Sequence, residues 1–194
     1  MTRDRRMAIF MAIMIVAWAA VAFYSRGATI FPSQYDSQIQ SAVKQYWRSD
    51  FSDWLYGKSQ LFAESRLDPN AVSATDAEGI AQFESGPWAD VSRAIGLGIV
   101  SRKLSGPAIL GYAYFQEQQR LQWKSPRPVL EREKLAEAAY NSGLGHIIAA
   151  QKLCDGALLW SAIELCLINV TGAENSKQTR DYVSHIVMYR AMIN

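Results

Sequence analysis

The sequence predicts an all-α domain. Apolar residues recur at helical spacing in one stretch after another, and alternating β patterns are scarce. Asp53, Pro87 and Pro128 also stand where helix-starting residues belong. Hydrophobic content of 49% with 20% charged residues describes a folded globule, and 194 residues suit one domain with a short appendage.

The appendage is residues 1–24. Arg3, Arg5 and Arg6 precede an uncharged run from Met7 to Tyr24, rich in Ala, Ile, Met and Val. Ala20-Val21-Ala22 fits the small-x-small cleavage site of a signal peptide, while the 18-residue run is just long enough to cross a bilayer as a signal anchor. Both readings stand. Either way the basic flank places the N-terminus in the cytoplasm and the rest outside, so an exported, periplasmic chain is expected, with residues 7–24 in the cytoplasmic membrane if retained. Three basic residues against Asp4 account for the whole formal charge of +2. The neutral remainder offers no footprint for nucleic acid. Residues 25–34 read as a linker, and residues 35–194 as the domain.

Within the domain, Ile39, Val43 and Tyr46–Trp47 mark a first helix over 35–47. Asp53 caps a second, running through Leu55, Leu61 and Phe62 to Glu64 and stopped before Pro69. Residues 66–78 form an irregular loop, and a short helical turn is expected near Gly79. Further helices are expected over 87–94, 107–124, 128–141, 144–153 and 158–167, with a last one capped by Asn175-Ser176. Glu131-Arg132-Glu133-Lys134 reads as a solvated charged face.

Cys154 and Cys166 are the only cysteines. A continuous helix between them would hold them about 18 Å apart, too far to bond. Asp155-Gly156 can break that helix, so a disulfide and two separately buried thiols both remain open. Neither the cysteines nor His146 and His185 form a metal-ligand pattern, and no cofactor or metal is expected.

The chemistry centres on Glu64. It ends a helix beside Leu61, Phe62 and Leu67, where burial and the negative helix terminus both favour a protonated carboxyl. A proton-donating carboxylic acid is what glycosidic cleavage requires. Gln82 beside a Gly turn, Tyr140-Asn141 at a helix end and Tyr182 on the last helix each read individually as ordinary surface, cap or core residues. Their order is more informative.

Glu64-Ser65, Gly79-Ile80-Ala81-Gln82, Ala139-Tyr140-Asn141-Ser142-Gly143 and Thr179-Arg180-Asp181-Tyr182-Val183 resemble, in that sequence and spacing, the soluble-lytic-transglycosylase (SLT) domain of the lysozyme-like superfamily, which includes goose-type lysozymes. The resemblance covers about residues 50–190. It implies a lytic transglycosylase that binds peptidoglycan glycan strands and cleaves the β-1,4 bond between N-acetylmuramic acid and N-acetylglucosamine without water. Glu64 matches the single acid that protonates the leaving oxygen and then deprotonates the muramyl C6 hydroxyl. Ser65, Gln82, Tyr140, Asn141 and Tyr182 match residues that orient the acid or line the sugar groove.

The chain departs from that pattern around the groove. Asp76-Ala77-Glu78 replaces the usual Gly-Ala, Ala81 the usual Met, and Glu84-Ser85-Gly86-Pro87 the usual Met-Pro-x-Thr. Asp76 is therefore a candidate second carboxylate, able to activate water and make the enzyme a hydrolytic muramidase. A third reading is a catalytically weak wall-binding module of a secretion, conjugation or phage machine.

Overall fold

The computed structural model describes residues 30–48 and 50–193; residues 1–29, with the signal or anchor expectation, lie outside them. The compact unit begins at Gln34. Its helices are α1 (Asp36–Tyr46), α2 (Trp54–Ser65), α3 (Ser85–Ala94), α4 (Ser105–Leu121), α5 (Val129–Ser142), α6 (Leu144–Leu153), α7 (Trp160–Cys166) and α8 (Ile168–Met192). Among the described residues none is long and apolar enough to cross a membrane.

Ile39, Ala42 and Val43 give α1 one apolar stripe, which packs on α2 and α4, and the Trp47 indole N–H beyond it donates to Ala113 O at 3.0 Å. Asp53 accepts from the Leu55 N–H at 3.1 Å and so caps α2. That helix ends where Arg66 and Leu67 both adopt left-handed backbone (φ 59° and 63°). α5 runs through the middle, packed against α4, α6, α7 and α8. Leu135, Ala138 and Ala139 on α5 join Ile147, Trp160, Ile163, Val183 and Ile186 in the principal core. α8 begins seven residues before the expected Asn175 cap and bends at Gly172 (φ 80°, ψ 171°). The helical turn expected near Gly79 is instead an irregular loop with isolated bridges Val72–Glu78 and Glu78–Phe83.

Cys154, capping α6, is bonded to Cys166 at the end of α7, with 5.9 Å between their Cα atoms. Asp155 and Gly156, both at positive φ, supply the reversal that a continuous helix would have forbidden.

The charged face expected of residues 131–134 is a correction. Glu133 is 1% exposed and Glu137, one turn on, is fully buried. Glu131 turns back to accept the Trp160 N–H at 2.7 Å, capping α7. Glu133 instead meets Arg120, buried on α4. The Arg120 Nε lies 2.9 Å from Glu133 Oε2, close enough for charge attraction but off the line of a hydrogen bond, while its Nη1 donates to Glu117 Oε2 at 2.7 Å. Its guanidinium also stacks over Phe51 and Trp47, 4.8 and 5.3 Å from the ring centres. From Glu133 a chain of buried hydrogen bonds runs inward. Gln116 donates to Glu133 at 3.1 Å, Gln60 donates to Gln116 at 3.3 Å, and the Tyr112 hydroxyl donates to Gln60 at 2.8 Å. Gln60 lies one turn before Glu64, so this network fixes the helix that carries the candidate acid.

Candidate active site

A cleft of about 590 Å³ opens between the end of α2, the loop before α3, and the facing parts of α4, α5 and α8. Glu64, Gln82, Tyr140 and Asn141 line it, brought together from positions up to 77 residues apart.

Glu64 is partly buried at the cleft wall. Three contacts hold its end of α2. Ser65 Oγ donates to Ile80 O at 2.8 Å, Arg66 donates to the Tyr189 hydroxyl at 2.7 Å, and Phe62 meets the Tyr189 ring edge-on at 5.0 Å. Ser65 thus ties the acid's helix to the Gly79–Gln82 turn and does not itself line the cleft. The Tyr182 hydroxyl donates to Glu64 Oε1. Burial raises the Glu64 carboxyl to about 7, with the Tyr182 bond pulling in the opposite direction by stabilising the anion. A group balanced in this way exchanges its proton readily near neutrality. Tyr182 itself is pushed far above the ordinary phenol range by burial and by the neighbouring carboxylate, so it stays a donor.

Tyr140 is fixed by its hydroxyl, which donates to Ala81 O at 2.7 Å, and by Phe115 and Phe83 at ring distances of 5.4 and 6.0 Å. This aromatic wall suits the apolar face of a sugar ring. Asn141 accepts from Thr179 Oγ1 at 2.9 Å, which orients the amide and leaves its NH2 as the group able to donate into the cleft. Gln82, at φ 49°, donates to Gly79 O at 2.9 Å and Ala71 O at 3.2 Å, so its amide nitrogen braces its own turn. The amide oxygen is what it can offer a ligand.

Asp76, the candidate second carboxylate, lies beside Arg102. It is not among the cleft-lining residues; its carboxylate accepts from Arg102 Nη2 at 2.9 Å, and its side chain is 62% exposed. The second carboxylate that does line the cleft is Glu84, exposed at the start of α3. Sequence reasoning also missed Ser73, Thr75, Phe115 and Gln119, which line the cleft as well. Only the polar Ser73-Ala74-Thr75 triplet in a loop after Asn70 was available as a signal; Phe115 and Gln119 lie within an ordinary helical pattern.

No family model matches the chain. The membrane-bound lytic murein transglycosylase F of Yersinia enterocolitica is 33% identical over 103 residues, covering 52% of this chain and 20% of that protein. The protein of the same name from Marinobacter nauticus is 30% identical over 136 residues, covering 68% and 26%. The chain thus matches only a fifth to a quarter of the length of these curated relatives. Among solved structures, the 70 kDa soluble lytic transglycosylase of Escherichia coli superposes with a TM-score of 0.66 at 18% identity, over 84% of this chain and 24% of that one. The chain thus shares the all-helical fold of the soluble lytic transglycosylase and is similar in sequence to one stretch of the membrane-bound lytic murein transglycosylases.

Proposed function

We propose that this domain is a peptidoglycan lytic transglycosylase, exported to the periplasm, with Glu64 as acid and then base. The observation that carries the reading is one partly buried carboxyl, raised to about 7 and held by Tyr182, on the wall of a polar and aromatic cleft. Relatives whose names assign them murein as substrate agree with it. In the first half-reaction Glu64 gives its proton to the glycosidic oxygen as the bond from the muramyl C1 breaks. In the second, the carboxylate removes the C6 hydroxyl proton as that oxygen bonds to C1, so the acid is regenerated and no water is consumed. Tyr140 with Phe83 and Phe115 packs against a sugar face, while Asn141 and Gln82 offer a donor and an acceptor to its acetamido and hydroxyl groups. Tyr182 and Ser65 position Glu64.

The product end-group tests the reaction type. Purified sacculi treated with the full chain are expected to release 1,6-anhydromuropeptides, lighter by one water than reducing-ended fragments in mass spectrometry. Only reducing ends would overturn the reading in favour of a muramidase, and binding without release would leave a wall-binding module.

The proton balance has its own signature. With a soluble glycan oligomer, kcat/KM is expected to fall as pH rises through about 7, because the first step needs protonated Glu64. Tyr182→Phe removes the bond that favours the carboxylate and is expected to move that midpoint upward. An unchanged or lowered midpoint would contradict the role given to Tyr182.

A further inference from the structure

The loop between α2 and α3 carries Ser73, Thr75, Ala77 and Gln82 into the cleft with no regular element to hold it. Its base is anchored: Gly79 N–H donates to Ala71 O at 2.8 Å, and Ser65 ties Ile80 to α2. Beyond Glu78, whose N–H donates to Phe83 O at 3.1 Å, its tip, residues 73–77, closes mainly on itself. Ser73 Oγ accepts from the Thr75 and Ala77 N–H groups at 3.1 and 2.9 Å, and Ser73 N–H donates to Ala77 O at 2.9 Å. Those bonds shape the tip but do not fasten it to the domain.

Arg102, from the connection between α3 and α4, supplies that fastening. Its Nη2 reaches Asp76 at 2.9 Å and its Nε reaches Glu78 at 3.0 Å, while neighbouring Lys103 lies 3.3 Å from the other Glu78 oxygen. The Arg102 side chain is only 11% exposed although it springs from an irregular segment. The two backbones also meet at Gly79 (φ 78°), where an added Cβ would fall 2.4 Å from Arg102 O. Only glycine permits that approach. Asp76 sits at φ 69°, a conformation costly to most residues, and its carboxylate is held there by the same guanidinium.

We propose that Arg102 is a positioning residue, a two-pronged clamp that holds the Ser73–Glu78 wall of the cleft through Asp76 and Glu78 and thereby sets substrate affinity. The clamp assigns a role to the Asp76-Ala77-Glu78 departure. Two acidic residues there make sense with a planar, forked cation facing them, whose separated Nε and Nη2 donors a single lysine ammonium does not reproduce. The kinetic half of the inference rests on the proposed transglycosylase reading; the structural half does not.

Two measurements on the full chain separate them. By hydrogen exchange, Arg102→Met is expected to speed exchange at the Ser73 and Ala77 amides about tenfold while α2 and α8 amides keep their rates. With a soluble glycan oligomer, it is expected to raise KM about fivefold to tenfold, hold kcat within about twofold, and leave the pH midpoint in place. Arg102→Lys should recover part of the loss. Asp76→Asn with Glu78→Gln should reproduce it, and should add nothing when combined with Arg102→Met. That loop-side pair also serves if Arg102→Met does not fold, since it leaves the arginine's packing intact. Unchanged exchange at Ser73 and Ala77 overturns the clamp. So does a fall in kcat at constant KM, or a lysine variant no better than methionine. A wild-type chain that cleaves no glycan overturns the transglycosylase reading, while exchange still decides the clamp.

Discussion

Glu64→Gln is expected to reduce muropeptide release from sacculi by about a thousandfold or more, while leaving the domain folded. Glutamine preserves the shape and still accepts from the Tyr182 hydroxyl, but it has no proton to give and cannot act as a base afterwards. One substitution therefore disables both half-reactions. Its stability carries an opposite sign. The folded carboxyl is raised to about 7 from its ordinary value of 4.5, so between those pH values the folded state holds a proton that the unfolded chain has lost. Stability in the wild type must then fall as pH rises through that window. The variant escapes this loss and above pH 7 should exceed the wild type by about 1–3 kcal/mol, less than the full shift because the cleft admits water. Denaturant unfolding at pH 5 and pH 8, beside the release assay, tests both halves. A variant keeping a tenth of the wild-type rate sinks the assignment of Glu64. Equal, negligible release by both proteins sinks the enzyme.

The candidate acid was legible in the sequence because its determinants are local. A helix interrupted before Pro69, with Leu61, Phe62 and Leu67 around the carboxylate, is visible in eleven consecutive residues. Tyr140, Asn141 and Tyr182 became legible only as an ordered set, since each alone fits a cap or core position. Asp76 shows the limit of that method. Its place in a stretch that departs from the family pattern around the groove suggested a shared site, but its carboxylate is held by Arg102, 26 residues away. Whether a loop carboxylate faces substrate or scaffold is a tertiary fact. The charged run at 131–134 failed for a related reason. Periodicity places Glu133, Glu137 and Tyr140 on one stripe of α5, and the Ala136, Ala138 and Ala139 neighbours of Glu137 were a sign of burial. Without Arg120 in view, solvation was the only evident way to satisfy these charges.

Arg120→Met is expected to destabilise the domain by about 3–5 kcal/mol near neutral pH, the cost of stranding buried charges without their counter-ion. Two acids depend on it: Glu133 at 1% side-chain exposure and Glu117 at 5%. Burial raises both carboxyls and Arg120 holds them down, so its removal lets both rise further. Glu137 adds a third buried carboxyl, itself raised by burial and by Glu133. The sign then follows from linkage. A raised carboxyl lets the folded state bind protons that the unfolded state has released, so the variant's deficit grows as pH climbs above the unfolded carboxyl range. Below about pH 4, where the unfolded carboxyls are also protonated, the deficit should shrink towards the lost stacking on Phe51 and Trp47, about 1 kcal/mol. Denaturant melts of both proteins from pH 4 to pH 8 measure this. A deficit constant with pH would show that Arg120 contributes packing alone, and no deficit at pH 8 would refute the charge network. The outcome also bears on the cleft, because Glu133 holds Gln116, Gln116 holds Gln60, and Gln60 stands one turn before Glu64 on α2. A variant folded at low temperature but slack in this chain should lose turnover before it loses substrate binding, the reverse of the pattern expected for Arg102.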